Sequence, residues 1–305
     1  MKIIAREKDE TTLVPEKLND LWYLYISVGG LVLWQKTLRT KIICRGREVI
    51  KGKKKPVCLG ISAEKLSWEG NKVRVTGKIT EGEERHKHHS FYLKLNEKTK
   101  VVGPLENIPK PAKREALVCV CDRSRASLGN LRGGKIQPFE EIQSKGRETE
   151  YFKEVANKIL RAGEGYILIA GPDKAKDKVA GFLDRTENVF LDQLASTGTA
   201  GFEEALKRSV IKEVFEKQRE DAERKAVTEI MAEIKKAPEK ACYGLDVAKA
   251  PERAARVLVL SDFVKKYENV LKAAMDCGSE IQIVDGSKDY SRELRQFELV
   301  GVCRW

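Results

Sequence analysis

Residues 165–194 read GYILIAGPDKAKDKVAGFLDRTENVFLDQL and indicate the fold class of the middle of the chain. The apolar run GYILIAG has the length and composition of a buried strand. Pro172 follows it, and proline is tolerated in the first turn of a helix. The run NVFLDQL then predicts a second strand. Because a strand, a helix and a strand follow one another, this segment predicts an α/β layer fold.

The segments around this unit extend the same pattern. ALVCVCD and ASLGNLR, on its N-terminal side, predict a pair of hairpin strands, and helices are predicted over 148–162 and about 202–236. Beyond Pro238 a last unit contains a helix (246–255), the strand RVLVLSD, a helix (262–276), the strand EIQIVD, a short helix and ELVGVCRW. That order is typical of a compact α/β/α sandwich.

The first third of the chain has a different pattern. VPEKLNDLWYLYISVGG predicts a helix that begins at Pro15 and ends at Gly29-Gly30. Its apolar positions have helical spacing and are Leu18, Leu21, Trp22, Tyr25 and Val28. Short strands separated by turn residues predict a small barrel, and they cover 31–44, 57–68, 72–79, 90–95 and 99–103. With NIPKPAKRE as a linker, the predicted domains are 1–113, 114–238 and 239–305.

Charge is concentrated in the first of these domains. The net charge is +12, and residues 1–113 hold 24 Lys and Arg against 13 Asp and Glu, so nearly all of the excess lies there. A basic module joined to two nearly neutral ones predicts a polyanion-binding domain, most simply for nucleic acid. A basic surface without a specific partner is the alternative that charge alone leaves open.

Composition also bears on compartment and on metal chemistry. The seven cysteines include no C-x-x-C pair, which argues against a zinc site of the usual spacing and favours reduced thiols. The sequence contains no apolar run of bilayer length, and the N-terminal apolar stretch is too short for a signal peptide. We therefore expect a cytoplasmic protein with no membrane partner.

The most basic stretch, KTLRTKIICRGREVIKGKKK, covers residues 36–55 and contains Glu48 as its only carboxylate. Strand-like sequence leading into a Gly-Lys loop predicts a surface that presents cations to RNA phosphates. A solvated loop is the alternative. The candidate RNA-binding residues are Lys36, Arg39, Lys41, Arg45, Arg47, Lys51, Lys53, Lys54 and Lys55.

Six motifs, in order along the chain, resemble those of the Pelota family. DLWYLYISVGG and the following TLRTK are similar to its D-L-W-x-L-Y helix and T-x-R strand, and ALVCVCDRSRASLGNLR is similar to the opening of its second domain. GYILIAGP, ASTGTAGFEEALKR and YGLDVAKA match in order and spacing. The tail from CGSEIQIVD to GVCRW resembles the closing motif. The form without insertions resembles the archaeal members.

This resemblance implies a fold and a function. The implied fold is multidomain α+β and α/β: an N-terminal Sm-like small β-barrel, a central α/β domain of the termination-factor middle-domain type, and a C-terminal L30e-like α/β/α sandwich. The implied function is ribosome rescue and mRNA surveillance (no-go decay). The implied partners are the ribosome with its rRNA and mRNA, a translational GTPase of the elongation-factor 1A type and a ribosome-recycling ATPase, with the protein itself a monomer.

The sequence departs from related families at two sites. Termination factors carry a Gly-Gly-Gln tripeptide that hydrolyses peptidyl-tRNA, whereas the nearest match here is Gly133-Gly134-Lys135 in a predicted tight turn. Peptide release is therefore not expected. The family often has G-P-G-F where this chain has Gly171, Pro172 and Asp173, a candidate GTPase contact that a plain helix start explains equally well.

STGTAG lacks the ending of a phosphate-binding loop, which favours a helix-capping loop.

The three histidines, His86, His88 and His89, lie within ERHKHHSFYLKL. In a strand, alternation places His86 and His88 on one face and His89 on the other, so one strand does not complete a metal site. We expect these residues to form barrel wall. The alternative is a divalent-metal-dependent endoribonuclease, which the resemblance to archaeal Pelota keeps open. The sequence assigns no catalytic residue, no metal ligand and no cofactor.

Overall fold

Three β-sheets, of seven, five and four strands, are formed by the residues that the structure describes. The structure, a computed structural model, describes residues 1–45, 48–81, 85–111, 115–163, 165–183 and 187–304; for 37–45, 48–55 and 248 the description covers the backbone. The multidomain α+β and α/β fold class is confirmed. Within the described ranges, every helix is too short or too polar to cross a bilayer.

The first sheet is antiparallel and has the strand order β1-β2-β7-β3-β4-β5-β6. The first two strands were not predicted, because their sequence is short and rich in charge and threonine. The strands are β1 (Lys2–Glu7), β2 (Glu10–Val14), β3 (Val32–Arg45), β4 (Glu48–Glu69), β5 (Lys72–Glu81), β6 (His88–Lys94) and β7 (Thr99–Val102).

One helix, α1 (Leu18–Ser27), packs on this sheet. Its predicted apolar face is confirmed, since all five predicted positions are buried. The predicted start at Pro15 was wrong. The Asp20 carboxylate accepts the backbone N–H of Glu16 (2.7 Å) and of Lys17 (3.1 Å), so it holds these two residues in the turn before the helix.

The second sheet has the order β10-β9-β8-β11-β12, with β8, β11 and β12 parallel. Helices α2 and α3 cover one face, and α4 with the start of α5 covers the other. Burial on both faces explains the continuous apolar run around Cys119 and Cys121. The elements are β8 (Glu115–Cys121), β9 (Arg125–Arg132), β10 (Lys135–Gln143), α2 (Glu148–Ala162), β11 (Ile167–Gly171), α3 (Ala175–Ala180), β12 (Val189–Gln193), α4 (Gly198–Lys207) and α5 (Val210–Lys236).

The third sheet has the order β13-β16-β14-β15. The C-terminal half of α5 covers one face and α7 covers the other, which gives the expected α/β/α sandwich. The helix predicted over 246–255 ends early because Pro251 interrupts it. The elements are β13 (Ala241–Tyr243), α6 (Asp246–Lys249), β14 (Ala254–Leu260), α7 (Glu268–Asp276), β15 (Glu280–Val284), α8 (Arg292–Arg295) and β16 (Leu299–Cys303).

The chain divides into two compact units, one formed by residues 1–112 with 223–305 and the other by residues 113–222. The division falls inside α5, because the two halves of that helix pack on different sheets. The three-domain boundaries at 113/114 and 238/239 stay a prediction.

Inside the first unit, side chains of the N-terminal sheet and helix bond to the C-terminal sandwich. Trp68 Nε1 donates to the carbonyl of Ser261 (2.8 Å), and the Tyr25 hydroxyl donates to Glu268 Oε2 (2.7 Å). These two bonds join residues that are far apart in the sequence.

Candidate nucleic-acid and partner interfaces

The basic stretch 36–55 lies on a two-stranded arm. Strand β3 pairs with residues 48–62 of β4, but β7 pairs with β3 only at Val32–Trp34, and β5 pairs with β4 only over Gly60–Glu69. In the described backbone, the part of the hairpin within residues 35–59 therefore extends beyond the region where β7 and β5 pair with it. We call residues 35–59 the β3–β4 arm.

The prediction of a Gly-Lys loop was wrong, because this segment belongs to β4. Lys54 pairs with Thr40 and Lys55 pairs with Arg39. The pairing register shifts opposite Lys41, at the position of Gly52-Lys53, where glycine suits a bulge. The cations are thus distributed along paired strands and are not collected in one turn.

Eight of the nine candidate RNA-binding residues lie on the two strands of the β3–β4 arm. Lys36 is exposed and pairs with Cys58 in the ladder. Arg47 lies outside the described residues, and for the other seven the description covers the backbone. An isolated two-stranded ribbon buries little apolar surface. The described residues of the ribbon include eight of these cations and one carboxylate, Glu48. This is the charge expected for contact with a polyanion, and RNA binding by the nine residues stays a prediction.

Gly171, Pro172 and Asp173 lie where β11 ends, at the carboxyl edge of the parallel strands. A Cβ on Gly171 would lie 1.9 Å from the carbonyl oxygen of Cys121, so only glycine fits between β11 and β8. Asp173 Oδ1 accepts the N–H of Ala175 (2.7 Å) at the start of α3. This bond agrees with the helix-start alternative predicted from the sequence, and a GTPase contact stays a prediction.

A network of charged and polar groups surrounds this edge. Arg123 Nε lies 3.6 Å from Asp173 Oδ2, and Arg125 Nη2 donates to Thr197 Oγ1 (2.6 Å). Burial by itself would raise the pKa of Asp122, but hydrogen bonds from the Ser124 side chain and from the N–H groups of Ser124 and Arg125 lower it below its usual value. The carboxylate is therefore held charged and acts as a structural acceptor.

The loop ASTGTAG is closed by its own helix. Glu204 on α4 accepts the N–H of Ala195 (2.9 Å) and of Ser196 (2.9 Å). The Ala195 bond is the main reason that the pKa of Glu204 lies below its usual value, against the opposing effect of burial. Thr197 at the N-cap of α4 makes no side-chain capping bond, so the loop is held by Glu204 and the helix-capping interpretation stays a prediction.

The Gly133-Gly134-Lys135 segment forms the predicted tight turn between β9 and β10. Gly133 (φ 58°) and Gly134 (φ 81°) both have the left-handed backbone that suits glycine, and Lys135 begins β10. The predicted turn is confirmed.

The three histidines do not lie on one strand. Strand β6 begins at His88, and His86 lies in the preceding turn with φ 71°. The prediction that His86 and His88 share a strand face was therefore wrong. His88 is exposed, and its Nδ1 lies 3.5 Å from Glu64 Oε2. His89 pairs with Gly77 inside the sheet.

The possible metal ligands of the described residues are dispersed. Among these residues, no three His, Cys, Asp or Glu side chains are grouped so that they could hold a metal ion. The structure thus indicates no residues for the endoribonuclease alternative within the described ranges.

One polar surface, the outward face of β4, β5 and β6, was not predicted from the sequence. Its signal is the alternation KVRVTGK at residues 72–78, where every second residue is polar. No role was predicted for these residues because the basic stretch 36–55 dominates the charge pattern.

Comparison with known proteins identifies a family model and relatives that are similar to this chain. A sequence model of the Pelota N-terminal domain matches residues 1–104. The protein pelota homolog of Methanopyrus kandleri is 26% identical over 99% of this chain and 97% of its own length. That of Archaeoglobus fulgidus is 28% identical over 83% of this chain and 80% of its own length. Residues 1–104 thus match a Pelota N-terminal domain, and the chain is similar to archaeal pelota homologs over most of its length.

Solved structures agree with the Pelota fold. The crystal structure of Archaeoglobus fulgidus Pelota has a TM-score of 0.78 at 22% identity, and the similarity covers 100% of this chain and 99% of that one. A structural model of ribosome-bound archaeal Pelota and ABCE1 has a TM-score of 0.52, also at 22% identity and with the same coverage. At this identity the similarity establishes the fold.

Proposed function

We propose that this protein is a cytoplasmic ribosome-rescue and mRNA-surveillance factor of the Pelota family. It enters the A site of a stalled ribosome with a translational GTPase and promotes subunit dissociation together with a recycling ATPase. The observation that carries the proposal is the β3–β4 arm, a basic ribbon on a domain that matches the Pelota N-terminal model. An extended basic ribbon is suited to reach folded RNA inside a narrow site, because phosphate contacts supply affinity without base specificity.

A second observation supports the ribosome as the partner. A structural neighbour that shares this fold over the whole chain is an archaeal Pelota bound to the ribosome with ABCE1. We extend that partnership to this protein as part of the proposal. The proposed contact with the GTPase is the carboxyl edge of the central sheet at Gly171, Pro172 and Asp173, where glycine is required and Asp173 lies beside Arg123.

The proposed factor does not release the peptide. Hydrolysis of peptidyl-tRNA by termination factors depends on a Gly-Gly-Gln loop, and the nearest match here ends in Lys135, at the start of a paired strand. An ammonium has no amide to position a water molecule at the ester, and strand pairing fixes its backbone. Stalled complexes should therefore be split with the peptide still attached to tRNA.

The experiment is subunit splitting with purified archaeal ribosomes stalled on a truncated mRNA, with the GTPase and the recycling ATPase added. We expect separated subunits in sucrose gradients and intact peptidyl-tRNA on gels. Stoichiometric free peptide in the absence of a release factor would contradict the proposal. Ribosomes that stay intact with this protein, while a control Pelota splits them in parallel, would also contradict it.

The same reactions test the endoribonuclease alternative. A labelled mRNA is followed with Mg²⁺, with Mn²⁺ and with chelator, for the protein and for a variant with His86, His88 and His89 changed to Gln. We expect rescue to be retained by the variant. Metal-dependent mRNA cleavage that is present in the protein and absent from the variant would favour the nuclease.

A further inference from the structure

The outward face of β4, β5 and β6 is a second basic surface, separate from the β3–β4 arm. In β5 the odd-numbered residues Val73 and Val75 are buried, so the even-numbered side chains point away from the core. The pairing register places Lys94, Tyr92, Ser90 and His88 beside them on β6. We call this surface the β4–β6 outer face; its cations are Lys65, Lys72, Arg74, Lys78 and Lys94.

A bulge in β4 shapes one end of this face. The register of β4 against β5 shifts between Ala63 and Lys65, so that Glu64 and Lys65 are both exposed. Gly77 lies opposite the bulge, and a Cβ there would be 1.7 Å from the carbonyl oxygen of Ser62. The bulge brings Glu64 to His88, and this carboxylate is thereby directed to the histidine and not to the lysines.

The cations of the β4–β6 outer face are weakly paired. Arg74 Nη1 is 3.9 Å from Glu69 Oε1, with both side chains substantially exposed, an interaction worth little in water. Lys72 Nζ lies 4.3 Å from the ring centroid of Tyr92, which orients the ammonium without neutralising it. Lys94 Nζ lies 3.4 Å from Glu97 Oε1 in an exposed pair, and Lys65 and Lys78 have no ion pair with any described residue.

The middle of the face adds neutral hydrogen-bonding groups. Thr76 Oγ1 and Ser90 Oγ lie 2.8 Å apart at the centre of the surface, between the cations of the two ends. Side chains two positions apart on a strand are separated by roughly 6.7 Å, so Lys72 and Arg74 form a regular row of positive charge. The row is charge-complementary to an extended polyanion.

We propose that the β4–β6 outer face binds an RNA strand through its phosphates, independently of base sequence. The inference deepens the proposed function, because it gives the N-terminal domain a second RNA-binding surface beside the β3–β4 arm. Lys72 and Arg74 contact neighbouring phosphates, and Lys78 contacts one further along the strand. Of the hydrogen-bonded Thr76 and Ser90 hydroxyls, the one that does not donate to the other donates to a phosphate oxygen between Arg74 and Lys78.

Salt-dependent binding of fluorescent U20 and A20 RNA to the full chain tests this directly. For single strands, the slope of log affinity against log salt falls by about 0.7 for each phosphate that the protein no longer neutralises. Changing Lys72, Arg74 and Lys78 to Gln should therefore reduce the slope by about 2 for both RNAs and weaken binding about tenfold at 0.15 M salt. A variant with Lys145, Lys212 and Lys235 changed to Gln, all exposed and outside this face, has the same net charge as the face variant and should match the unmodified protein.

Three results would overturn the inference: an unchanged slope in the face variant, an equally weakened control variant, and tighter binding of poly-glutamate than of RNA. Subunit splitting is measured on the same preparations. If the unmodified protein splits subunits but the slope of the face variant is unchanged, the rescue proposal stands and RNA binding by the β4–β6 outer face is wrong. If the slope is reduced but the unmodified protein does not split subunits, RNA binding by the face stands and the rescue proposal is wrong.

Discussion

His86 has a φ of 71° in the turn before β6, a conformation that costs most residues free energy and suits Asn and Gly. Its position explains why a cluster of three histidines does not behave as one unit. His86 lies in a turn, His88 is exposed beside Glu64, and His89, the next residue of the same strand, is partly buried.

The turn at His86 gives a prediction about stability. His86→Asn should leave the thermal midpoint nearly unchanged, because Asn tolerates the left-handed backbone, whereas His86→Val should destabilise the first unit by about 1–2 kcal/mol. Scanning calorimetry of the full chain measures both. His88→Val is the matched control, since Val favours a strand and should not lower the midpoint. Equal effects of Val at the two positions would contradict the role of the backbone.

Gly171 gives a second prediction at the same scale. Gly171→Ala should destabilise the central unit by about 3 kcal/mol, because the added methyl group meets the Cys121 carbonyl of a paired strand that cannot move alone. Gly165→Ala is the control; its Cβ meets no atom within 4 Å of the described structure. Calorimetry and the rate of proteolysis within residues 113–222 report the destabilisation, and similar midpoints for the two variants would count against it.

At the scale of elements, the β3–β4 arm and α5 both extend beyond a single sheet. The arm extends a pair of strands beyond the sheet that anchors them. Helix α5 covers the central sheet with its first turns and the C-terminal sheet with its last ones. The two strands of the arm are long because they continue beyond the sheet, and α5 is long because it packs on two different sheets.

The arm should bind the ribosome chiefly through charge. Changing Lys53, Lys54 and Lys55 to Glu should weaken ribosome binding and flatten its salt dependence, because each phosphate left without a cation no longer releases its counterion on binding. Cosedimentation across a salt series measures the effect. Reversal of Lys145, Lys212 and Lys235 to Glu is the control for net charge. Affinity that stays the same across the series would remove this part of β4 from the RNA-binding surface.

At the scale of the whole molecule, the first unit joins the two ends of the sequence. Trp68 is 3% exposed and bonds to Ser261, while Tyr25 bonds to Glu268 on α7. Burial would raise the pKa of Glu268, but the Lys272 ammonium and the Tyr25 hydroxyl lower it below its usual value. The carboxylate therefore favours the folded state when it is charged.

The bond between Tyr25 and Glu268 should contribute about 1 kcal/mol at neutral pH. Tyr25→Phe should lower the thermal midpoint of the first unit, and the difference should shrink as the pH falls below about 4, because a carboxyl with a depressed pKa loses its stabilising effect on protonation. Tyr92→Phe is the control; its hydroxyl has no hydrogen bond to a described residue. A difference independent of pH would show that the hydroxyl acts through packing alone.

The sequence by itself determined the features that depend on local pattern. The α/β alternation around residues 165–194, the apolar face of α1, the Gly133-Gly134 turn and the concentration of charge before residue 113 all follow from residue order, and the structure has each of them. These properties are local, because the periodicity of side chains and the preference of glycine for left-handed backbone act over a few residues.

Only the tertiary structure decided the features that depend on distant partners. Residues Gly52–Lys55 form a strand because they pair with β3. His86 lies outside β6 because the turn before that strand has a left-handed backbone at this position. The β4–β6 outer face arose in the same way, from pairing that aligns Lys72, Arg74 and Lys78 with β6. Strand pairing joins residues far apart in sequence, so no local pattern specifies which cations become neighbours.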